Sequence, residues 1–432
     1  MNRPEPVRYP LLRARSAPGP EENHRRFLRL ACGTAHQLPP MPPESRWLLA
    51  VQEPSLFAAA LIALWKKRAI PVISADLQPG TLLELEQHAD GVVHDEPVHT
   101  LKPSIRVTTE EGDVDTGTDP AMSFNGEDTA LELFTSGTTG ERKLISKKFR
   151  SLFEETDNLE RAFGPRVAGL PRFTTVSHFH IYGLLFNILW PLRAGDSFPP
   201  VKSFYWEEIL DRATGPCCIS SSPAHLRFLA DVAASRRFHK EGTVLFSSGG
   251  PLDGAVARAI EDTGLAAPVE VFGSTETGGA AWRCQGRQGD DAFTPFAPVE
   301  VRCDAHQHLQ LRSPWLDDPD AWTDVGDRAA IEDGRFRLLG RADRIAKIAG
   351  KRVSLLEMEN LLRTDARILD VRVFQMTGDR RADRSALAVV AVLSDESATR
   401  DNARPTLIQE LRRLLLARFE PVTLPRRWRF VA

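Results

Sequence analysis

The sequence predicts an α/β protein with a large N-terminal domain, residues 1–340, and a small mobile α+β domain, residues 341–432. Strand-like and helix-like segments alternate from about residue 46, which favours parallel strands joined by crossover helices in layered sheets. From about residue 297 to 340 the segments become shorter and more alternating, as in a β-rich subdomain. A compact tail follows the apparent boundary at residues 340–343.

In the first third of the chain, a Pro-rich lead-in over residues 1–20 precedes the alternation. Strands are expected at 46–51, 69–74 and 91–94, with helices at 54–67 and 79–88. After residue 170 the predicted strands are 173–176, 217–220, 243–248 and 268–272, and the predicted helices are 182–192, 223–234 and 253–263. In the tail, strands are expected at 344–348, 368–376, 386–393 and 426–431, with helices at 405–419 and after the capping box that Ser354 opens.

Composition limits the class of protein. A chain of 432 residues with 42% hydrophobic and 26% charged residues is typical of a globular enzyme. The net charge of −3 indicates neither nucleic acid nor an anionic membrane as a partner. The five cysteines form no CxxC pair, and the N-terminus lacks the apolar core of a secretory signal. We therefore expect a cytoplasmic protein with no membrane segment.

The most informative segment is a loop rich in hydroxyl groups and glycine at residues 135–143, directly after the strand-like residues 131–134. Its glycines let a ligand approach the backbone, and its N–H groups, hydroxyls and lysine can surround phosphate oxygens. The phosphate-handling candidates are Thr135, Ser136, Gly137, Thr138, Thr139, Gly140 and Lys143. The loop does not match the Walker pattern, so a plain flexible turn is the alternative from these residues alone.

Four further strings follow in order: His178-Phe-His-Ile-Tyr-Gly, Val271-Phe-Gly-Ser-Thr-Glu-Thr-Gly, Asp324-Val-Gly-Asp and the segment 340–350. Together with the loop, they resemble the adenylate-forming superfamily of acyl- and aryl-CoA synthetases, peptide-synthetase adenylation domains and luciferases. The resemblance implies that a carboxylate attacks the α-phosphate of ATP, and that a thiol then displaces AMP. The thiol would belong to CoA or to the phosphopantetheine of an acyl carrier protein.

The resemblance assigns roles to the loop and to the second glycine-rich string. The loop residues would hold the β- and γ-phosphates, although Lys143 could instead be a solvated strand residue. Glu276, with Thr139, would bind Mg²⁺, and Thr275 would contact the α-phosphate. Phe272, followed by Gly273 and Ser274, would stack on adenine, with a plain core role as its alternative. A helix N-terminus at Ser274 or Thr275 is the competing interpretation of this string.

Other residues receive roles by the same resemblance. Asp327 would accept the ribose hydroxyls, and Arg341 would lie over the ribose and phosphate unless it forms only a surface salt bridge. Gly249 and Gly250 would pass between the adenine and the acyl pocket, or else form an ordinary turn.

The two nearby histidines raise a separate question. Two histidines two apart on a strand would face the same way, but no third metal ligand is apparent. The resemblance places His180 beside the acyl pocket as a catalytic candidate and Phe179 at the pocket wall, whereas a packing role is the alternative. Asp343 falls at the hinge of the C-terminal domain, which acts as a lid in the family.

The sequence departs from the family at its end. A lysine-containing loop normally follows the last strand, and here no lysine follows Leu424-Pro-Arg-Arg-Trp-Arg-Phe-Val. We therefore expect either a shortened chain or poor adenylation.

The substrate expected is a small, aromatic carboxylic acid, as in the ligases of aryl-polyene and xanthomonadin-type pigment clusters, which the chain also resembles. The alternatives are an amino-acid-activating adenylation domain and an adenylate-binding protein with poor turnover.

Overall fold

A computed structural model of the chain describes residues 7–11, 21–109, 122–136, 142–235, 240–341, 345–348, 351–376, 386–394 and 404–431. The chain forms two compact units. Unit 1 comprises Met1–Glu300 with Arg312–Trp322, and unit 2 comprises Val301–Leu311 with Thr323–Ala432. This grouping places the β-rich segment with the C-terminal part, whereas the domains predicted above divide at residue 340. The boundary between the two compact units does not show where a hinge lies. Asp343 lies outside the described residues, so movement of the C-terminal domain about it stays a prediction.

The strands of unit 1 are β1 (Arg8–Pro10), β2 (Arg46–Ala50), β3 (Ile70–Ser74), β4 (Gly91–His94), β5 (Ser104–Arg106), β6 (Ser123–Asn125), β7 (Thr129–Ser136), β8 (Arg142–Lys148), β9 (Arg172–Thr174), β10 (Cys218–Ser221), β11 (Val244–Ser247), β12 (Val269–Ser274), β13 (Gly278–Cys284) and β14 (Thr294–Pro295). The strands that follow are β15 (Glu300–Cys303), β16 (His308–Arg312), β17 (Thr323–Glu332), β18 (Arg335–Arg341), β19 (Ile345–Ile348), β20 (Lys351–Ser354), β21 (Ile368–Met376), β22 (Ala386–Leu393) and β23 (Arg427–Val431).

The α-helices are α1 (Glu21–Gln37), α2 (Pro54–Lys66), α3 (Pro79–Leu85), α4 (Phe149–Val167), α5 (Ile181–Leu184), α6 (Trp190–Ala194), α7 (Trp206–Arg212), α8 (Pro223–Leu226), α9 (Leu229–Ser235), α10 (Gly254–Asp262), α11 (Leu355–Leu362) and α12 (Arg404–Leu416). Short 3₁₀ segments occupy Glu86–His88 and Pro421–Thr423, and Leu185–Leu189 forms a π-helical turn. Within the described ranges, no helix is both long and apolar enough to cross a bilayer.

The first sheet of unit 1 has six strands in the order β5-β4-β2-β3-β7-β8. All neighbours pair in parallel except β7 and β8, which form an antiparallel hairpin. Burial along β2, β3 and β4 is almost continuous, as expected of parallel strands covered on both faces. One cover is α2, where residues 56–65 are all buried.

The second sheet of unit 1 has the order β14-β13-β12-β11-β10-β9. Strands β9 to β12 are parallel, and β12, β13 and β14 continue as antiparallel neighbours. The carboxyl ends of four parallel strands therefore meet at one edge. In open α/β sheets, this edge is where ligands bind.

Helix α4 connects the two sheets of unit 1. Phe153 packs against Trp65 of α2, and Phe163 packs against Phe246 of β11. Its buried residues recur at helical spacing, among them Leu152, Leu159 and Phe163. The sequence analysis did not assign this helix or α1. Helix α4 follows the hairpin that carries the glycine-rich loop, and α1 follows the Pro-rich lead-in.

Unit 2 contains a four-stranded sheet in the order β15-β16-β17-β18, the hairpin β19-β20 and a three-stranded sheet in the order β21-β22-β23. Helices α11 and α12 pack on the last sheet through a core that includes Met358, Leu362 and Leu411. Helix α11 begins as predicted, since Ser354 Oγ accepts a hydrogen bond from the Glu357 N–H at 3.1 Å. The α/β class and most element positions are confirmed.

Candidate active site

A cavity of about 500 Å³ lies in unit 1 at the carboxyl ends of β9, β10, β11 and β12. The residues that line it include Glu155, Thr175, Val176, Ser177, His180, Tyr182, Gly183, Lys202, Ser222, Ser248, Gly249, Gly273, Ser274, Thr275, Gly278 and Gly279. Its volume fits a ligand of small-molecule size. The cavity therefore brings together His180, Gly249, Gly273, Ser274 and Thr275, five residues singled out from the sequence.

One wall is an irregular helix. Helices α5 and α6 are joined by the π-turn Leu185–Leu189, a distortion often found at functional sites. Gly183 in α5 allows residues 177–178 to cross the helix closely, because a side chain here would collide with the Ser177 carbonyl oxygen. This contact brings the turn that carries His180 to the edge of the cavity.

The two histidines of this turn have different environments. His178 is buried, and its Nε2 forms a 3.0 Å hydrogen bond with the Val51 carbonyl while its ring contacts Phe57. Burial lowers the pKa of His178 to about 4. Residues 178–180 form a turn and not a strand, so the condition under which both histidines would share one face is not met.

His180 is the histidine that lines the cavity. The side chain is exposed, and desolvation at the cavity, followed by the charge of Lys202, lowers the pKa of its imidazole. Phe179, expected at the pocket wall, instead packs against Phe57 and His178.

Residues 275–277 form the turn of the β12–β13 hairpin. Gly273 pairs with Gly279 and Ser274 pairs with Gly278. The alternative interpretation of this string as a helix N-terminus is therefore wrong. Thr277 N–H donates to Ser274 Oγ at 3.2 Å, which tightens the turn and leaves Glu276 exposed.

A buried lysine holds this turn from the neighbouring sheet. Lys147 of β8 is 5% exposed, and its ammonium donates a hydrogen bond to the Glu276 carbonyl at 3.1 Å. Burial lowers the pKa of Lys147, whereas the carboxylates of Glu155 and Glu276 oppose that shift. The turn that carries the predicted Mg²⁺ ligand is thus attached to the strand that follows the predicted phosphate loop.

Glu155 is a cavity residue that the sequence analysis missed. It lies on α4 and is 4% exposed, and its Oε1 accepts a hydrogen bond from the Gly279 N–H at 2.5 Å. Burial raises its pKa to about 7, against the opposing effects of Gly279 and Lys147. The available signal was its position, because Glu155 lies three residues after Leu152 and four before Leu159 on the apolar stripe of α4.

The predicted phosphate loop is the tip of the β7–β8 hairpin. Thr135 pairs with Lys143, and Thr135 Oγ1 donates to the Lys143 carbonyl at 3.4 Å. The Lys143 side chain is exposed, and Ser136 ends β7. Four predicted phosphate ligands lie outside the described residues: Gly137, Thr138, Thr139 and Gly140. Their roles stay predictions.

Of the residues predicted to lie near adenine, some line the cavity and others do not. Gly249 lines the cavity with a φ of 86°, a conformation that favours glycine, and Gly250 follows it in an exposed position. The ring of Phe272 contacts that of Phe293, with centroids 5.5 Å apart. That contact is compatible with the core role that was left open, and stacking on adenine stays a prediction.

The predicted ribose-binding residues belong to unit 2. Asp327 and Arg341 are opposite each other on β17 and β18, and Arg341 Nη1 lies 3.7 Å from Asp327 Oδ2. Arg341 Nη1 also donates to the Val325 carbonyl at 3.4 Å. The two side chains form an ion pair in which Arg341 is the more exposed partner, and their role toward a nucleotide stays a prediction.

A metal held by protein side chains alone has no support in the described part of the chain, where no group of three His, Cys, Asp or Glu residues comes together. A single exposed carboxylate such as Glu276 still fits Mg²⁺ that is bound mainly by phosphate oxygens.

Comparison with known proteins identifies the class. The AMP-binding enzyme family matches residues 40–302, which is more than half of the chain, and the chain belongs to this family. A structure of an ATP-bound RpMatB-BxBclM chimera has a TM-score of 0.75 at 19% identity, with 95% of this chain and 89% of that chain covered. At this identity the likeness establishes the fold alone.

Two curated relatives are named 4-coumarate–CoA ligases. The protein from Cereibacter sphaeroides is 28% identical over 279 residues, which are 64% of this chain and 63% of the relative. The protein from Halorhodospira halophila is 31% identical over 231 residues, which are 52% of this chain and 54% of the relative. The chain thus spans less than two thirds of the length of these relatives.

Proposed function

We propose that the protein activates a small aromatic carboxylic acid with ATP as an acyl-adenylate and transfers the acyl group to a thiol. The cavity at the strand ends carries this proposal, because it places Thr275 and the glycines of two turns around a space of small-molecule size. The family match and the similarity to CoA ligases support the same chemistry.

In the first half-reaction, one anion attacks another, so positive charge and hydrogen-bond donors must surround the transferring phosphoryl group. Thr275, in the hairpin turn, would direct its hydroxyl to the α-phosphate, and Lys143 and the loop around it would hold the β- and γ-phosphates. Glu276 would hold Mg²⁺, which neutralises phosphate charge when it is bound. His180, whose pKa is lowered, would adjoin the carboxylate that reacts.

The acyl end of the site is proposed to accept a flat ring. The glycines at 249, 273, 278 and 279 leave room along one side of the cavity, and Phe186 and Tyr182 line it from the helix 181–194. A ring of benzoate or cinnamate size suits about 500 Å³ better than a long acyl chain does. This agrees with the aryl-type ligases that the sequence resembles.

The test is carboxylate-dependent pyrophosphate release by the purified chain with ATP and Mg²⁺, over benzoates, cinnamates, fatty acids and amino acids. We expect release with aromatic acids, and loss of at least about tenfold in the Glu276→Gln variant, as for other preorganised groups. Release with fatty acids or amino acids only would contradict the aromatic assignment. Release with none of the acids would end the ligase proposal.

The acceptor is tested separately. Each active acid is incubated with ATP and either CoA or a phosphopantetheinylated carrier protein, and thioesters are detected by mass spectrometry. We propose CoA as the first acceptor, because the similar curated proteins are named CoA ligases. Acylation of the carrier protein without acyl-CoA formation would reverse this assignment.

A further inference from the structure

Two adjacent carboxylates on α4 have different surroundings. Glu154 accepts a hydrogen bond from the Tyr9 hydroxyl at 2.9 Å and does not line the cavity. Glu155 lines the cavity and is 4% exposed. A buried carboxyl group without full hydrogen bonding is costly, so its retention at a ligand cavity calls for a partner.

Only one of the two Glu155 oxygens has a hydrogen-bond donor in the described part of the chain. Oε1 accepts the Gly279 N–H at 2.5 Å. Oε2 lies beside Gly278, where an added Cβ would come within 2.6 Å of this oxygen. Gly278 and Gly279 both line the cavity, so the absence of side chains there leaves Oε2 open to a ligand.

The groups around Glu155 leave its Oε2 atom available to accept a hydrogen bond from a ligand. Lys147 acts on Glu155 electrostatically, but its hydrogen bond goes to the Glu276 carbonyl. The Trp315 indole Nε1 is buried without a hydrogen-bond partner among the described residues, although Trp315 Cδ1 lies 2.7 Å from the same Gly278 Cβ position. In the described part of the chain, neither Lys147 nor Trp315 therefore donates a hydrogen bond to Glu155 Oε2.

We propose that Glu155 recognises a hydrogen-bond donor, a hydroxyl or an amino group, on the carboxylic acid substrate, and so selects acids that carry one. This inference rests on the proposed function, because it concerns the acid bound in the same cavity. An acid without the donor would leave the second oxygen of Glu155 unpaired in a buried site. Sites built to hydrogen-bond a substrate discriminate strongly against analogues that lack the group.

The experiment compares kcat/KM for pyrophosphate release with benzoates and cinnamates that carry hydroxyl, amino, methoxy or no substituent at the meta or para position. The methoxy acids keep the size of the substituent and remove the donor. We expect at least one hydroxy or amino acid to exceed its methoxy counterpart by about tenfold or more. The hydroxy and amino arms identify which donor is bound.

The variant Glu155→Gln keeps the side-chain length and an oxygen for the Gly279 N–H. We expect it to reduce the preference for the donor by about tenfold, through a larger loss of kcat/KM for the donor-bearing acid than for the unsubstituted acid. The matched control is Glu154→Gln, which should keep the preference. If Glu155→Gln lowers kcat/KM for all acids equally, the role is structural and the proposal is overturned.

A binding measurement separates this inference from the proposed function. Sulfamoyl-adenosine analogues of benzoate and of the hydroxy or amino benzoates are titrated by calorimetry into the wild-type protein and into the Glu155→Gln variant. Tighter binding of the donor-bearing analogue, lost in Glu155→Gln, supports the inference even if no acid is turned over. Equal binding of all analogues overturns it while leaving activation possible, and no binding of any analogue overturns both.

Discussion

The Lys147 ammonium donates a 3.1 Å hydrogen bond to the backbone carbonyl of Glu276, from a position that is only 5% exposed. Lys147 lies on β8 of the first sheet, and Glu276 lies in the turn between β12 and β13 of the second. The hydrogen bond therefore connects the sheet of the predicted phosphate loop to the turn of the predicted Mg²⁺ ligand. Lys147 is a positioning residue in this arrangement, since it contacts the backbone and not the proposed substrates.

The first prediction concerns this hydrogen bond. Lys147→Met leaves the Glu276 carbonyl without its donor and lets the turn move, and small misplacements in an active site cost up to about 100-fold in rate. We expect kcat to fall by about tenfold or more, with KM for the acid changed less. Steady-state kinetics over ATP·Mg and acid concentrations measure this.

The matched control is the next residue on the strand. Lys148 pairs with Glu127 at 2.9 Å near the surface, and exposed pairs contribute at most about 1 kcal/mol. Lys148→Met should therefore leave kcat unchanged. Equal losses in the two variants would show that Lys147 has no special role.

The second prediction concerns the pH dependence of stability through Glu155. Its pKa is raised to about 7 in the folded protein, whereas the unfolded carboxyl titrates near 4.5. Between these values the unfolded state binds fewer protons, so the free energy of unfolding falls as pH rises. We expect a loss of up to about 3 kcal/mol relative to Glu155→Gln, which does not titrate.

Chemical denaturation at several pH values from 5 to 8 tests this for the wild type, Glu155→Gln and the control Glu154→Gln. The difference between wild type and Glu155→Gln should shrink or reverse as pH rises. A difference that stays constant over this range would contradict the raised pKa.

The third prediction distinguishes the two histidines by stability and activity. The pKa of His178 is lowered to about 4, so between pH 4 and 6.5 the unfolded state binds more protons. His178 therefore stabilises the fold above pH 6.5, and this contribution is lost as pH falls toward 4. The trend opposes that of Glu155, so single variants are needed to separate them.

We expect His178→Gln to lower the free energy of unfolding by about 1–3 kcal/mol at pH 7, because it loses the ring contacts with Phe57 and Phe179. Its stability should depend less on pH below 6.5. His180→Gln should keep the wild-type stability within about 0.5 kcal/mol and lower kcat/KM. Thermal unfolding and pyrophosphate release on the same samples check both, and equal destabilisation by the two variants would refute the distinction.

The fourth prediction concerns the close contact at Gly183. A methyl group there would collide with the Ser177 carbonyl, so Gly183→Ala should displace the turn or the helix and cost about 1–3 kcal/mol. Activity should fall with it, because both segments line the cavity. Gly80→Ala is the control, since nothing lies within 4 Å of its added Cβ and alanine favours the helix. Unchanged unfolding and activity in Gly183→Ala would show that the contact is dispensable.

The sequence alone determined the α/β class, most strands and helices and the order of the motifs. Strands 368–376 and 386–393 were predicted with the bounds that the structure has, and Ser354 caps its helix as expected. These features depend on local properties, namely hydrophobic periodicity and hydrogen bonds to near neighbours in the chain. The family membership also followed from ordered motifs, and the comparison confirms it.

The tertiary structure decided which side chains reach the cavity. His178 turns inward because its partner is the carbonyl of Val51, 127 residues earlier in the chain, and Phe179 follows it against Phe57. Glu155 and Lys147 become site residues only because α4 and β8 pack against the β12–β13 hairpin. Burial and pKa are set by contacts between distant segments, and periodicity along the chain does not specify them.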